Sequence, residues 1–301
     1  MNRKIIYVIA ILSLVFQGCM NCFRAKPDFY IPDLAETDFG DLQIYEGTMI
    51  EMIDNIGSPI EVASLMRALD LPFTQRYLAG TRNVSNFHTS HEKAFNLGVL
   101  GCDLGYLNMY GRVSLVLDYI SAIRTLANGV NVGQFFDFNT LKRLATNNEN
   151  VDSLVHISQM SFNRIDRYLQ QNNRGNLSVL IVSGVWLEGL YLTCQFYKER
   201  PNEKRLGESI AEQKMMLMQL IILLSNFDRE RYIANLVAEL ETIKVLFDEI
   251  KITIEIGEPQ MIEVDGMLRL VQAERSITEY TDEQMSAIIN QVEIVRNKLI
   301  Q

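Results

Sequence analysis

Proline is scarce in this chain, with six in 301 residues, and glycine contributes only 17. So few chain breakers argue against a loop-rich β architecture and for long regular elements. Histidine is scarcer still, at three, and tryptophan occurs once. HExxH is absent, as are the paired ExxH motifs of a di-iron bundle, so two well-defined metal-centre patterns are missing. Also missing are a GxSxG nucleophile elbow, a P-loop and a GxGxxG after a strand. Positive charge is in deficit: 28 Lys+Arg stand against 37 Asp+Glu, a formal net charge of −9. That balance excludes a nucleic-acid partner, which requires a cationic face to displace phosphate counterions. Hydrophobic residues at 48% and charged residues at 22% are globular values and exclude a disordered, collagenous or polytopic membrane chain.

What the sequence does have begins at its N-terminus. Asn2, Arg3 and Lys4 precede an apolar run from Ile5 to Phe16. Twelve helical residues span only about 18 Å, too short for a hydrocarbon core of roughly 30 Å. The pattern is that of a signal peptide, residues 1–18, rather than a permanent span. It ends in Phe16-Gln17-Gly18-Cys19, which resembles the lipobox of bacterial lipoproteins, although Phe16 replaces the usual Leu and Gln17 a small residue. The resemblance implies that Cys19 becomes the acylated first residue of the mature chain. Processing there leaves 283 residues and, with Arg3 and Lys4 removed, takes the charge from −9 to −11. An acidic body is repelled by anionic headgroups, so attachment falls to the lipid on Cys19. Residues 19–40 contain Pro27 and Pro32 and lack helical periodicity, the pattern of a tether.

Four cysteines do not make a disulfide framework in a chain this long. Cys102 and Cys194 fall within apolar helical patterns and read as small buried thiols. Cys19 and Cys22 have CxxC spacing, but acylation of Cys19 would consume one member of the pair.

Residues 41–301 read as a single helical domain. Ser58-Pro59-Ile60-Glu61 forms a capping box opening a helix to about Asp70. A second helix is predicted from Thr89 or Ser90 to Tyr110, stopped by Gly111, and others over 113–128, 134–147, 151–172, 176–198, 204–226 and 229–256. Leu236, Leu240, Ile243, Phe247, Ile250 and Ile254 form a heptad seam in the last of these. Ile252–Ile256 also alternates like a strand, so that segment has a second reading as a hairpin with Ile262 and Val264, near 251–265. Thr281-Asp282-Glu283-Gln284 caps a final helix to about Leu299.

Two apolar helices look like copies. Asp103-Leu104-Gly105-Tyr106 in one matches Glu188-Gly189-Leu190-Tyr191 in the other, each with an acid, a nearby Gly and a Tyr three residues on. Mid-helix glycines such as Gly98, Gly101 and Gly184 cost about 1 kcal/mol each relative to Ala, which close helix approach would offset.

Phe95-Asn96-Leu97-Gly98-Val99-Leu100-Gly101-Cys102-Asp103-Leu104-Gly105-Tyr106, Asn173-Arg174-Gly175-Asn176 and Ser183-Gly184-Val185-Trp186-Leu187-Glu188-Gly189-Leu190-Tyr191 resemble a group of Bacteroidetes envelope lipoproteins of unassigned activity. Thr281-Asp282-Glu283-Gln284 and Ile294-Val295-Arg296-Asn297 fit the same group, so the likeness spans about residues 88–301. It implies an exported helical protein and transfers no activity. Val185 stands where that group usually has Gly, which implies different local packing.

Several residues are candidates for chemistry. Asp103 and Glu188 are carboxylates on apolar helices, expensive to bury unless paired. Either they are satisfied internally, by tyrosine hydroxyls or by Arg112, Arg164 or Arg167, or they form an acid/base or ligand pair. His88 and His91, spaced i,i+3 with Glu92 following, are a candidate metal pair, set against a reading as solvent-facing residues of a helix cap. Tyr106, Trp186 and Tyr191 could line a ligand groove, although aromatics at helical spacing usually belong to the core. Met215–Leu224 reads as a buried helix, with a Met-lined pocket for an apolar molecule as the sharper alternative.

The sequence therefore predicts an all-α domain, a multi-helix bundle or short solenoid of helical hairpins, tethered on the periplasmic or surface side of a bacterial envelope through Cys19. No cofactor is implied. The leading expectation is a non-catalytic module that binds an envelope protein or small ligand. The alternative is an enzyme or metal site built on Asp103 and Glu188.

Overall fold

The computed structural model describes residues 65–141, 151–264 and 267–300. The export segment, the tether, Cys19, Cys22 and the Ser58 capping box lie outside those residues, as does the stretch 142–147 of one expected helix. Within them the chain is a helical bundle with one β-hairpin. The helices that lie wholly within them are α1 (Ser90–Met109), α2 (Val113–Gly129), α3 (Val151–Gln171), α4 (Gly175–Glu199), α5 (Lys204–Ser225), α6 (Arg231–Asp248) and α7 (Asp282–Leu299). Short 3₁₀ turns occupy Gln75–Tyr77, Val84–Asn86 and Gly133–Phe135.

The helix limits follow from local chemistry. Thr89 Oγ1 accepts from the Glu92 amide at 3.1 Å, and the Glu92 carboxylate accepts in return from the Thr89 and His88 amides. These bonds hold the Glu92 carboxyl below its ordinary pKa. Gly111, at φ 61°, supplies the left-handed residue that ends α1. Thr281 repeats the capping box at the start of α7, bonding to the Gln284 amide.

Helix α4 is the centre of the molecule. It packs on α1, α3, α5 and α7, elements from both ends of the sequence, so the fold is a bundle rather than a solenoid in which each unit touches only its neighbours. Its length and apolarity would suit a membrane span, yet most of its apolar stretch is buried inside the protein. Helices α1 and α4 run parallel: His91 and Asn176 at their N-terminal ends both bond Glu230, and Tyr106 and Phe196 meet near their other ends.

Two glycines set how closely these helices approach. A β-carbon at Gly98 would overlap the Ile181 carbonyl oxygen and lie 2.9 Å from the Val185 amide. One at Gly184 would overlap the Phe95 carbonyl and lie 3.0 Å from the Val99 amide. Each glycine thus faces the residues at positions −3 and +1 relative to the other, as a local twofold relation requires. This reciprocity is the structural counterpart of the copied sequence pattern.

After α6 the strand reading prevails over a continued helix. Helix α6 ends at Asp248, and β1 (Lys251–Val264) pairs antiparallel with β2 (Met267–Glu279). The heptad seam is buried from Leu236 to Ile250, whereas Ile254 lies on the strand and is 63% exposed. The hairpin is longer than the sequence suggested. Ile262 and Val264 continue the strand that holds Ile252–Ile256 instead of pairing with it, because Gly257 and Glu258 form a bulge rather than the turn.

Candidate functional site

Asp103 on α1 and Glu188 on α4 are brought together at the parallel crossing, and both are fully buried. Their counter-ion is Arg296 of α7, in place of Arg112, Arg164 or Arg167. Arg296 Nε donates to Glu188 Oε2 at 2.8 Å and Nη2 donates to Oε1 at 2.5 Å, a two-pronged pair between side chains that are 6% and 0% exposed. The same guanidinium donates to the Tyr77 carbonyl at 3.2 Å and lies 4.2 Å from the centre of the Tyr191 ring. Arg112 instead stacks over Phe73.

Asp103 has a different environment. Its Oδ2 accepts from the Ala79 amide at 2.9 Å, while Oδ1 finds no conventional donor although it is buried. Burial first, and the adjacent Glu188 charge second, push the Asp103 pKa well above the ordinary carboxylate range, despite the opposing pull of Arg296. Burial and the neighbouring charge thus favour the neutral form of Asp103. In its neutral form Oδ1 would have a proton to offer the adjacent Glu188 carboxylate, a partner for the orphaned oxygen. One proton, two carboxyl groups and one guanidinium make a neutral cluster, the form in which buried charge is tolerable.

The surrounding side chains close the cluster. Tyr119 on α2 donates to the Ala79 carbonyl at 2.5 Å, so both backbone groups of Ala79 are held by side chains from the bundle. Burial raises the Tyr119 pKa and pushes that of Tyr191 up to about 12. Burial also raises the Cys102 thiol, with the Asp103 and Glu188 charges adding to the effect, so Cys102 remains a protonated thiol. Cys102 and Cys194 are both free and buried.

A comparison with protein families, curated proteins and solved structures found no match.

The remaining candidates are dispersed. Tyr106 is 1% exposed, accepts from the Thr74 amide at 2.9 Å and stacks on Phe73. Trp186 is 4% exposed, and its indole N–H donates to Gln213 Oε1 at 2.9 Å. Tyr191 carries Arg296. All three rings serve packing at separate points of the core rather than one groove. Leu217, Leu220, Leu223 and Leu224 are fully buried, and Met215 is exposed, so the Met215–Leu224 helix is amphipathic.

The histidines also separate. His88 is exposed, whereas the His91 ring bonds Glu230 and stacks on Tyr232, with centroids 5.7 Å apart. Glu230 also accepts from the Asn176 side-chain Nδ2 at 2.9 and 3.1 Å. Its carboxylate thus sits where α1 and α4 begin, close to the positive ends of both helix dipoles. Among the described residues no group of three His, Cys, Asp or Glu side chains is placed to hold a metal.

Arg296 and Glu230 are the residues that sequence reasoning missed. A signal for Arg296 was present: it lies on the stripe formed by Met285, Ile288, Ile289 and Val292, the only cation on that buried face.

Proposed function

We propose that this chain is a lipid-anchored bacterial envelope protein, held through Cys19, whose helical body serves as a non-catalytic binding or scaffolding module. Support for the anchor comes from the cationic start, the twelve-residue apolar run and Gly18-Cys19, and the resemblance to envelope lipoproteins points the same way. Support for a non-catalytic body rests on one arrangement: Arg296 clasps Glu188, and neither Glu188 nor Asp103 has exposed surface. The alternative acid/base site would need a substrate to reach two side chains that the bundle encloses. A surface cleft of about 330 Å³ beside Arg124, Asn128 and Phe138 offers room for a small polar ligand away from these acids.

Fractionation tests the anchor. Cys19→Ala is expected to release the protein from membranes, and membrane retention of a processed Cys19→Ala chain would contradict lipid attachment. Crosslinking in envelope preparations followed by recovery of the chain tests the binding role; a chain that crosslinks to nothing, itself included, would contradict it.

A further inference from the structure

Residues 71–79, which lead towards α1, lie across the bundle, and among the described residues no main-chain hydrogen bond joins them to its helices. Their main-chain bonds run only to close neighbours, Leu71 to Met66 and Leu78 to Gln75. Side chains of the bundle hold them instead. Tyr110 donates to the Leu71 carbonyl at 2.7 Å, Tyr106 accepts from the Thr74 amide at 2.9 Å, and Arg296 donates to the Tyr77 carbonyl at 3.2 Å. At the far end Asp103 accepts from the Ala79 amide at 2.9 Å, while Tyr119 donates to the Ala79 carbonyl at 2.5 Å. Leu71, Tyr77 and Ala79 are buried, whereas Pro72, Gln75, Arg76 and Gly80 are exposed, so the segment is a thin cover with one side in water.

We propose that residues 71–79 are a strap that lifts from the bundle as one unit and admits water to Asp103 while the helices stay packed. Three features carry this. Lifting breaks side-chain contacts alone, and segments with few main-chain bonds to the rest of a fold are the ones that open before it unfolds. The helices beneath do not depend on the strap: α1 and α4 are joined at the reciprocal Gly98 and Gly184 crossing, and Arg296 keeps both bonds to Glu188 when Tyr77 leaves. Closure leaves Asp103 Oδ1 buried with no conventional donor, and water that reaches it on opening supplies one.

The strap is also sensitive to pH. Around the acid pair stand Arg296 on α7, Tyr191 on α4, Tyr119 on α2, Cys102 on α1 and Tyr77 on the strap itself. Burial, and then the Glu188 charge, keep Asp103 neutral in the closed form. Opening removes the burial, and water takes the place of the Ala79 amide as a donor to the anion. The closed form therefore binds this proton more tightly than the open form, and rising pH favours opening. Burial raises the pKa of Tyr119, Tyr191 and Cys102, so these groups hold their protons near neutrality and do not oppose the effect.

Hydrogen–deuterium exchange of the full chain, read by mass spectrometry and corrected for intrinsic exchange rates, tests the strap. Amides of residues 73–79 are expected to exchange together, about tenfold or more faster than those of residues 95–107 in α1 and 180–192 in α4. Between pH 5 and pH 8 their opening is expected to rise by up to about tenfold per pH unit, the limit for release of one proton, and in Asp103→Asn that rise is expected to vanish. Tyr119→Phe removes one hydrogen bond to the strap and no charge, and is expected to speed strap exchange about fivefold with α4 unchanged, a test that stands even where Asp103→Asn folds poorly. Strap amides that exchange in step with the helices, or that show no protection at all, would overturn the proposal. A pH-dependent rise that persists in Asp103→Asn, or is absent from the parent, would overturn the link to Asp103.

Discussion

Arg296 and Glu188 lie 108 residues apart in sequence and meet in a two-pronged ion pair inside the bundle. The last helix is thereby latched to the central one, and the Arg296 bond to the Tyr77 carbonyl extends the latch to the segment preceding α1. Asp103 brings α1 to the cluster and holds Ala79 through Oδ2. Four separate stretches of chain thus converge on one buried polar cluster. Such a cluster tolerates little change, because removal of one partner strands the others.

Arg296→Lys is expected to destabilise the protein by about 2–3 kcal/mol. An ammonium keeps the charge but loses the planar fork that bonds both Glu188 oxygens and rests on Tyr191. Urea denaturation at neutral pH measures this, and a lysine variant as stable as the parent would show that charge alone suffices.

The glycine crossing gives a second expectation. Gly98→Ala and Gly184→Ala each drive a methyl group into helix backbone that has no room to yield, with an expected loss of about 3 kcal/mol or more. Gly101→Ala meets only the tip of the Phe162 ring, a side chain that can shift, and should cost much less. Thermal unfolding of the three variants should separate them in that order.

Protonation of Asp103 makes stability depend on pH. Burial and Glu188 raise the Asp103 pKa in the folded state above its unfolded value of about 4, so the folded chain holds this proton more tightly. The contribution is complete below about pH 4 and is lost as pH rises through the folded-state pKa, at up to about 1.4 kcal/mol per pH unit. Asp103→Asn removes this slope. Denaturation of the two proteins from pH 5 to pH 9 should therefore show the parent losing stability relative to the variant as pH rises.

Much of the fold was legible in the chain because its determinants are local. Thr89 and Thr281 reveal their helix starts through a glutamate and a glutamine three residues on, and Gly111 marks a stop that only a left-handed residue provides. The hairpin was half legible. Ile252–Ile256 alternates plainly, but Gly257 and Pro259 carry turn chemistry that the structure uses for a bulge, so a local pattern puts Ile262 and Val264 on the partner strand. Asp103 and Glu188 stood out as acids on apolar helices. Their meeting, and the choice of Arg296 over nearer arginines, depend on contacts between distant segments, which no local pattern encodes. The same holds for His91, whose partner Glu230 lies 139 residues away.

Comparison of two near-isosteric variants tests the central claim, that Asp103 is the protonated and Glu188 the charged member of a closed cluster. An asparagine at 103 can still accept from Ala79 and donate to Glu188, so Asp103→Asn should stay within about 1 kcal/mol of the parent at neutral pH. Glu188→Gln removes the two-pronged anionic partner of the buried Arg296 guanidinium, which Asp103 cannot replace in the same geometry, and should lose about 3–5 kcal/mol. Urea denaturation of the two side by side should give that asymmetry; equal losses, or a greater loss for Asp103→Asn, would contradict the account.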